Sequence, residues 1–101
     1  MSRFAFALML LATPALAEPD LEKGRLFAEE NCSGCHTLAA TGESPNPASP
    51  PFRTLDDKYP IDHLEESFAE GFYVGHEGMP QFELEVDQIH DLLAFLKSIQ
   101  E

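Results

Sequence analysis

The segment Glu30–Leu38, with the sequence ENCSGCHTL, contains both cysteines of this chain and a histidine directly behind the second one. Cysteines separated by two residues occur in metal clips, in dithiol redox centres and at attachment points of c-type haem. A chain of 101 residues builds only a small core, and such small domains usually need a further staple. The chemistry at Cys32 and Cys35 is therefore expected to organise the fold.

Two of these sites need features that the sequence does not show. A structural zinc site usually has four protein ligands in two pairs, and the spare histidines, His63, His76 and His90, form no second pairing. A thioredoxin-like dithiol opens a helix in a strand–helix context, whereas this cysteine pair follows a predicted helix. Zinc, a dithiol and an interaction domain without a cofactor stay open as disfavoured alternatives.

The pattern C-x-x-C-H is typical of covalent haem attachment. Two thiols one helical turn apart can each form a thioether with a vinyl group at one edge of the porphyrin. The imidazole of the next residue, His36, then reaches the iron as its proximal ligand. This pattern predicts a single haem c that is attached through Cys32 and Cys35.

Residues 1–17 have the layout of a secretory signal peptide. Arg3 precedes a short apolar run at 4–12, and the segment ends in the small-residue sequence Ala15-Leu16-Ala17. The apolar run is shorter than the ~20 residues that span a bilayer. We therefore expect cleavage after Ala17, export to a bacterial periplasm, and a mature monohaem domain at 18–101 without a membrane span.

The chain is acidic, with 18 Asp and Glu residues against 6 Lys and Arg residues and a formal net charge of −12. Cleavage of the signal peptide would also remove Arg3 and make the remaining domain more acidic. This balance disfavours binding to nucleic acid or to an anionic membrane surface. It favours a partner with a basic docking patch or serves solubility alone, and the charge does not separate these two interpretations. If the chain carries haem, the expected partners are redox proteins with such a patch, for example a periplasmic dehydrogenase or a terminal oxidase.

Three segments have the periodicity of amphipathic helices, and none alternates like a strand. The first lies at 20–32, where Asp20 is the expected N-cap. Its expected apolar side consists of Leu21, Leu26 and Phe27. Gly24 lies inside this helix at a cost of about 1 kcal/mol relative to alanine, which indicates that packing requires it.

The other two helices are predicted at 60–71 and 85–100. The earlier one has Asp62 as its expected N-cap and Gly71 as its stop, and the later one repeats Val86, Ile89 and Leu93 at helical spacing. The segments at 37–58 and 72–82 are rich in proline and glycine and are predicted to be loops. The sequence thus predicts an all-α domain of three main helices, whose long loops need an internal organiser.

These features together resemble a class I, or mitochondrial-type, cytochrome c of the small bacterial kind. The resemblance rests on GRLFAEENCSGCHTL at 24–38, GHEGMP at 75–80 and DLLAFLKSI at 91–99, and it covers residues 18–101. It implies the cytochrome c fold, in which helices and long loops surround one haem and the N- and C-terminal helices cross. Gly24 of the first helix would then meet Phe95 of the last.

The resemblance also implies that a methionine in a loop before the last helix is the second axial ligand of the iron. Met79 is the only methionine after residue 17, and Pro80 follows it. His76 is the rival ligand, and we expect it to be a loop residue near the crevice instead. His36 and Met79 are therefore the expected axial ligands.

In this family a proline carbonyl usually accepts the Nδ1–H of the proximal histidine, and both Pro50 and Pro51 are candidates here. A glycine usually precedes that proline, whereas this chain has Ser49. The side chains expected at the haem crevice are Phe52, Leu55, Tyr59, Phe68, Phe72 and Phe82. The candidates for contact with the haem propionates, each with a surface role as its alternative, are Arg53, Lys58 and Tyr59.

With both axial positions taken, the iron has no open site for a substrate, so the expected function is one-electron transfer and not enzymatic catalysis. The protein would act as a free carrier or as the haem subunit of a periplasmic dehydrogenase. The alternative is a haem-based gas sensor or a peroxide-reactive haem protein in which Met79 is labile. Gly75 and Gly78 in the same loop keep that alternative open.

Overall fold

The computed structural model describes residues 18–71 and 79–101. In these segments the chain forms three α-helices: α1 at Leu21–Asn31, α2 at Leu64–Glu70 and α3 at Val86–Ser98. Two short 3₁₀ helices, Phe52–Asp57 and Ile61–His63, precede α2. The described segments contain no strand, so the predicted all-α fold class with three main helices is confirmed.

The predicted signal peptide at 1–17 lies outside the described residues, as do Phe72, His76 and the two loop glycines Gly75 and Gly78. Within the described part of the chain, none of the helices has the length and apolar character needed to cross a membrane.

Helix α1 begins where the sequence predicts. The side chain of Asp20 accepts a hydrogen bond from the backbone N–H of Lys23 at 3.1 Å, which satisfies one of the free donors in the first turn. At the other end, the backbone N–H of Cys32 donates to the carbonyl oxygen of Ala28 at 2.8 Å. The last turn of α1 therefore leads directly into the cysteine motif.

The buried side of α1 differs from the predicted one. Leu21 and Leu26 are 50% and 43% exposed, so their assignment to the buried side was wrong. The helix instead buries Gly24 and Ala28, with Phe27 half-buried beside them. Gly24 and Ala28 lie one turn apart and carry little or no side chain, so another helix can approach closely along this side. Close backbone approach, and not the size of the leucines, decides which side of α1 faces inward.

Helices α1 and α3 cross at Gly24, as predicted. A Cβ atom added at this glycine would lie 2.1 Å from the backbone oxygen of Asp91 and 2.9 Å from the Cβ atom of Phe95. The backbone N–H of Asp20 also donates to the Asp91 carboxylate at 2.8 Å. The start of α1 is thus joined to the middle of α3 by a contact that admits no side chain at position 24.

Helix α3 supplies much of the core. A capping box between Glu85 and Gln88 starts the helix. Val86, the first residue of the apolar repeat, is 63% exposed, and the first buried position of α3 is Ile89. The buried apolar residues of the described chain are Ala28, Phe52, Ile61, Leu64, Phe68, Ile89, Leu92, Leu93, Phe95 and Leu96.

Helix α2 begins later than predicted. Asp62 is not its N-cap, because the chain from Ile61 to His63 forms a 3₁₀ turn and the α-helix starts at Leu64. The Asp62 carboxylate instead contacts the ammonium group of Lys97 on α3. Gly71 ends the helix in the left-handed conformation with a φ of 77°, as predicted.

The 3₁₀ helix Phe52–Asp57 lies in a segment that the sequence predicts to be loop throughout. The guanidinium group of Arg53 donates to the carbonyl oxygens of Ala39 and Gly42 at 3.2 and 2.8 Å. The backbone N–H of Phe52 donates to the carbonyl oxygen of Thr37 at 3.0 Å. These bonds fold the proline-rich loop back onto the 3₁₀ helix and give it internal order.

Replacing Gly24 with alanine is expected to destabilise the fold, because the added methyl group would force the backbones of α1 and α3 apart. Overpacking of this kind costs about 1–3 kcal/mol, and denaturant titration should show that loss in the free energy of unfolding. Gly34→Ala is the matched control, since a Cβ atom at Gly34 would meet no atom within 4 Å. Equal stability of the two variants would contradict the close crossing.

Candidate haem site

A cleft opens between the cysteine motif, the 3₁₀ helix Phe52–Asp57, α2 and α3. The residues that line it are Cys32, His36, Ala48, Pro50, Phe52, Leu55, Lys58, Tyr59, Leu64, Phe68, Met79, Leu92 and Leu96. Most of these side chains are apolar, and a few polar groups converge among them. Apolar clefts with a small number of placed polar groups are the usual form of a cofactor site.

The cysteine motif forms a tight turn at the end of α1. The backbone N–H groups of Cys35 and His36 both donate to the carbonyl oxygen of Cys32, at 3.2 and 2.9 Å. The turn leaves Cys32 half-buried in the cleft wall, Cys35 exposed and His36 buried. Both cysteines are free thiols.

The environment of Cys32 does not match a dithiol redox centre. Burial raises the pKa of the Cys32 thiol to about 11, and the neighbouring charge of Cys35 acts in the same direction. Reactive dithiols have the opposite property, since the attacking cysteine has a pKa below its ordinary value. Cys32 therefore stays protonated at neutral pH and is a poor thiolate nucleophile by itself.

The described residues also offer no zinc site. Within 18–71 and 79–101, no three side chains of His, Cys, Asp or Glu group together in a way that could hold a metal ion. His63 and His90 are exposed, and Nε2 of His90 lies 3.4 Å from the Glu65 carboxylate. A zinc site and a reactive dithiol at Cys32 thus find no support in this part of the chain.

The imidazole ring of His36 is held from two sides. Its Nδ1–H donates to the carbonyl oxygen of Pro50 at 2.7 Å, and the Phe52 ring packs against it with centroids 4.6 Å apart and a 30° tilt. A carbonyl oxygen can only accept, so Nδ1 carries the proton and the neutral ring has its lone pair on Nε2. The carbonyl oxygen of Pro51 accepts from Thr54 instead, so Pro50 is the proline that holds His36.

Met79 lies on the same cleft as His36. Its side chain is half-buried and packs against the buried core. Pro80 follows it and fixes one backbone torsion on that side of the methionine. The structure therefore brings Cys32 and the two expected axial ligands to one cleft.

The predicted crevice residues are placed as follows. Pro50, Phe52, Leu55, Tyr59 and Phe68 line the cleft, whereas Pro51 and Phe82 do not. Phe82 packs edge-on against Phe27 of α1, with ring centroids 6.1 Å apart. Among the propionate candidates, Lys58 and Tyr59 line the cleft, and the guanidinium group of Arg53 is bound by loop carbonyls.

Four apolar lining residues, Ala48, Leu64, Leu92 and Leu96, are not among the residues that the sequence assigns to the site. Leu92 and Leu96 lie one turn apart on α3, so their spacing marks an inward-facing side. Spacing alone does not separate a side chain that packs on a cofactor from one that packs on other side chains. The third helix thus contributes to the site without any sequence signal specific to it.

Ser49 is another residue whose setting the sequence does not reveal. It is 1% exposed, and its Oγ has no hydrogen-bond partner in the structure. Its backbone N–H donates to the carbonyl oxygen of Asn46 at 2.9 Å, and the N–H of Asn46 donates to Cys35 at 3.2 Å. Ser49 therefore lies at the end of the loop that connects the cysteine motif to Pro50.

The residues present fit a haem. Cys32 and Cys35 supply two thiols, and His36 and Met79 supply an imidazole and a thioether, which is the donor set that holds haem iron in His/Met cytochromes. The aromatic and aliphatic walls suit the faces of a macrocycle. Lys58 and Tyr59 offer a cation and a hydroxyl to carboxylate groups at its edge.

Comparison with known families agrees with this geometry. A sequence profile described as Cytochrome c matches residues 21–100, a range that includes the cysteine motif, Met79 and all three α-helices. Searches of curated proteins and of solved structures found no match.

Replacing Ser49 with alanine is expected to stabilise the protein by about 1 kcal/mol, because a buried hydroxyl without a partner carries an uncompensated desolvation cost. Thermal unfolding of the haem-loaded protein measures the effect. Ser44→Ala is the control: its Oγ accepts a hydrogen bond from the Thr37 N–H at 3.1 Å, so its loss should lower stability. A loss of stability in Ser49→Ala would mean that the hydroxyl gains a partner when haem is bound.

Proposed function

This chain belongs to the cytochrome c family, and we propose that it is a periplasmic one-electron carrier whose iron is held by His36 and Met79. The family binds covalently attached haem c, one for a domain of this size, and uses it in electron transfer.

The observation that carries the proposal is the shared cleft of His36 and Met79. The Pro50 carbonyl, 2.7 Å from Nδ1 of His36, orients the ring and increases the basicity of Nε2, as hydrogen bonds to metal-bound histidines generally do. Met79, which lines the same cleft, would supply its thioether sulfur. Cys32 and Cys35 would hold the group covalently, each thiol adding across one vinyl double bond.

Haem bound in this way stores one electron at a potential that His/Met ligation raises. The residues around the haem would influence this uptake and release of an electron. With both axial positions taken by His36 and Met79, no position remains for a substrate, so the protein is proposed to be a carrier and not an enzyme. Phe52, Leu55 and Phe68 exclude water from the cleft, and an apolar surrounding further favours the reduced, less charged iron.

The proposed compartment is the periplasm. Its support is the signal-peptide pattern at 1–17, with cleavage after Ala17, together with a cofactor that uses both cysteines covalently. The carrier would act freely or as the haem subunit of a periplasmic dehydrogenase.

The proposed partners present a basic patch, since the described surface is strongly acidic. Among the described residues every Asp and Glu side chain is exposed except Asp91, which is half-buried. Two cations are already engaged by acidic side chains: Arg25 contacts Glu22 and Glu29, and Lys97 contacts Asp62. Acidic groups therefore dominate the field that an approaching protein meets.

The ligand assignment predicts the response to carbon monoxide. The reduced wild-type protein, made with haem-maturation machinery, is expected to show a sharp c-type spectrum that carbon monoxide leaves unchanged. Met79→Ala is expected to keep the covalent haem and to gain carbon monoxide binding, because one axial position becomes open. Visible absorption spectra before and after addition of the gas measure both results.

Leu84→Ala is the matched control, since Leu84 is also a partly buried residue of the segment before α3 that packs on the core. This variant should stay unresponsive to carbon monoxide. A wild-type spectrum that shifts with the gas would overturn the Met79 assignment and favour gas sensing or peroxide chemistry. A protein without any covalent haem would overturn the proposal as a whole.

The acidic surface predicts opposite salt effects on two small oxidants. Oxidation of the reduced protein by the cationic tris(phenanthroline)cobalt(III) should slow as salt rises, whereas oxidation by the anionic ferricyanide should accelerate. The reason is that the screening length falls from ~30 Å at 0.01 M to ~10 Å at 0.1 M salt. Stopped-flow measurement of both oxidation rates at these two ionic strengths tests the prediction. Rates that do not change with salt for either oxidant would contradict electrostatic steering.

A further inference from the structure

Residues that follow α3 bind the 3₁₀ helix Phe52–Asp57 through the side chain of Gln100. Its Nε2 donates to the carbonyl oxygen of Phe52 at 2.6 Å and to that of Leu96 at 2.9 Å. Its Oε1 accepts from the backbone N–H of Asp56 at 2.9 Å. One half-buried side chain thus connects the last turn of α3 to both ends of the 3₁₀ helix.

Only a primary amide satisfies these three partners. Two partners are carbonyl oxygens and one is an N–H group, which matches the donors and the acceptor of a glutamine side chain and fixes the orientation of the amide. A carboxylate at this position would have no donor, and a thioether would have neither a donor nor a strong acceptor. The backbone adds a parallel bond, from the N–H of Glu101 to the carbonyl oxygen of Arg53 at 2.9 Å.

Phe52 connects these hydrogen bonds of Gln100 to His36. The N–H group of Phe52 donates to the carbonyl oxygen of Thr37, the residue directly after His36, at 3.0 Å. The carbonyl oxygen of Phe52 accepts from Gln100, and its ring packs against the imidazole with centroids 4.6 Å apart. The backbone of Phe52 is thereby fixed at both polar groups, and its ring is fixed where it meets the histidine.

We propose that Gln100 is a positioning residue for the proximal ligand His36 and acts through Phe52. This inference rests on the proposed function, in which Nε2 of His36 binds the iron. Without the Gln100 amide, the 3₁₀ helix loses its two hydrogen bonds to this side chain, and the Phe52 ring gains freedom to move away from His36. The imidazole then keeps the Pro50 carbonyl but loses the packing that holds its plane, so the bond from Nδ1–H to Pro50 opens more often.

Gln100→Met tests this inference, because methionine keeps the length and shape of the side chain and removes all three hydrogen bonds. The measurement is the exchange of the His36 Nδ1–H with deuterium in the reduced, haem-loaded protein, followed by NMR. We expect exchange about tenfold faster than in the wild type, since hydrogen bonds that hold the histidine's neighbour are lost. The haem methyl resonances of the oxidised protein should shift in the same variant.

Gln100→Glu is the second variant and keeps the acceptor toward Asp56 while it removes both donors to carbonyl oxygens. It should accelerate the exchange in the same direction. Ser98→Ala is the control, because its Oγ bonds to the carbonyl oxygen of Phe95 within α3 and not to the 3₁₀ helix. Its exchange rate and haem methyl shifts should match those of the wild type.

Two results separate this inference from the proposed function. Wild-type exchange rates in both Gln100 variants, together with lowered unfolding stability, would show that Gln100 only secures the end of α3 and would overturn the inference. A wild-type protein whose reduced form has no iron-bound histidine would overturn the proposed function itself, before any variant is compared.

Discussion

The contact between α1 and α3 at Gly24 is the constraint on which the rest of the structure depends. The backbone oxygen of Asp91 lies where a side chain would otherwise be, so the two helices meet backbone to backbone. Helix α1 ends at the cysteine motif, and α3 places Leu92 and Leu96 on the wall of the cleft. The crossing therefore helps to set the position of the cysteine motif relative to the α3 wall of the cleft.

Outside the small apolar core, backbone carbonyl oxygens hold the rest of the chain in place by accepting hydrogen bonds. The carbonyl oxygen of Cys32 accepts the two hydrogen bonds that form the turn of the cysteine motif. The carbonyl oxygen of Pro50 orients His36, and the carbonyl oxygens of Ala39 and Gly42 bind the guanidinium group of Arg53. A loop rich in proline has few N–H groups of its own, so its carbonyl oxygens are available to side chains. This loop is irregular, but its hydrogen bonds fix its conformation, and one of its carbonyl oxygens fixes the imidazole ring of His36.

The sequence predicts those parts of this protein that depend on local chemistry. The N-cap at Asp20, the stop at Gly71 and a packing reason for Gly24 each follow from rules for single helices, and the structure has each of them as expected. The choice between Pro50 and Pro51 and the unpartnered hydroxyl of Ser49 depend on how the loop folds in three dimensions. Hydrophobicity pointed to Leu21 and Leu26, but the closest approach of two backbones decided the face of α1.

The same limit applies to the cleft. Leu64, Leu92 and Leu96 have the spacing of ordinary core residues, and a side chain that faces a cofactor obeys the same rule as one that faces protein. The aromatic residues Phe52 and Phe68 were assigned to the site through the family resemblance, whereas Phe82, assigned in the same way, packs against Phe27. Family knowledge therefore identified more of the wall than periodicity could.

The bond between Asp20 and Asp91 joins residues 71 positions apart in the chain, and this separation has a consequence for the order of assembly. Closing a loop of this length costs about 4 kcal/mol of chain entropy, so the terminal helices can pair only after nearly the whole chain is available. Until that pairing, α1 and the cysteine motif at its end lack their packing partner on α3. A contact between two distant parts of the chain therefore completes the cleft late in assembly.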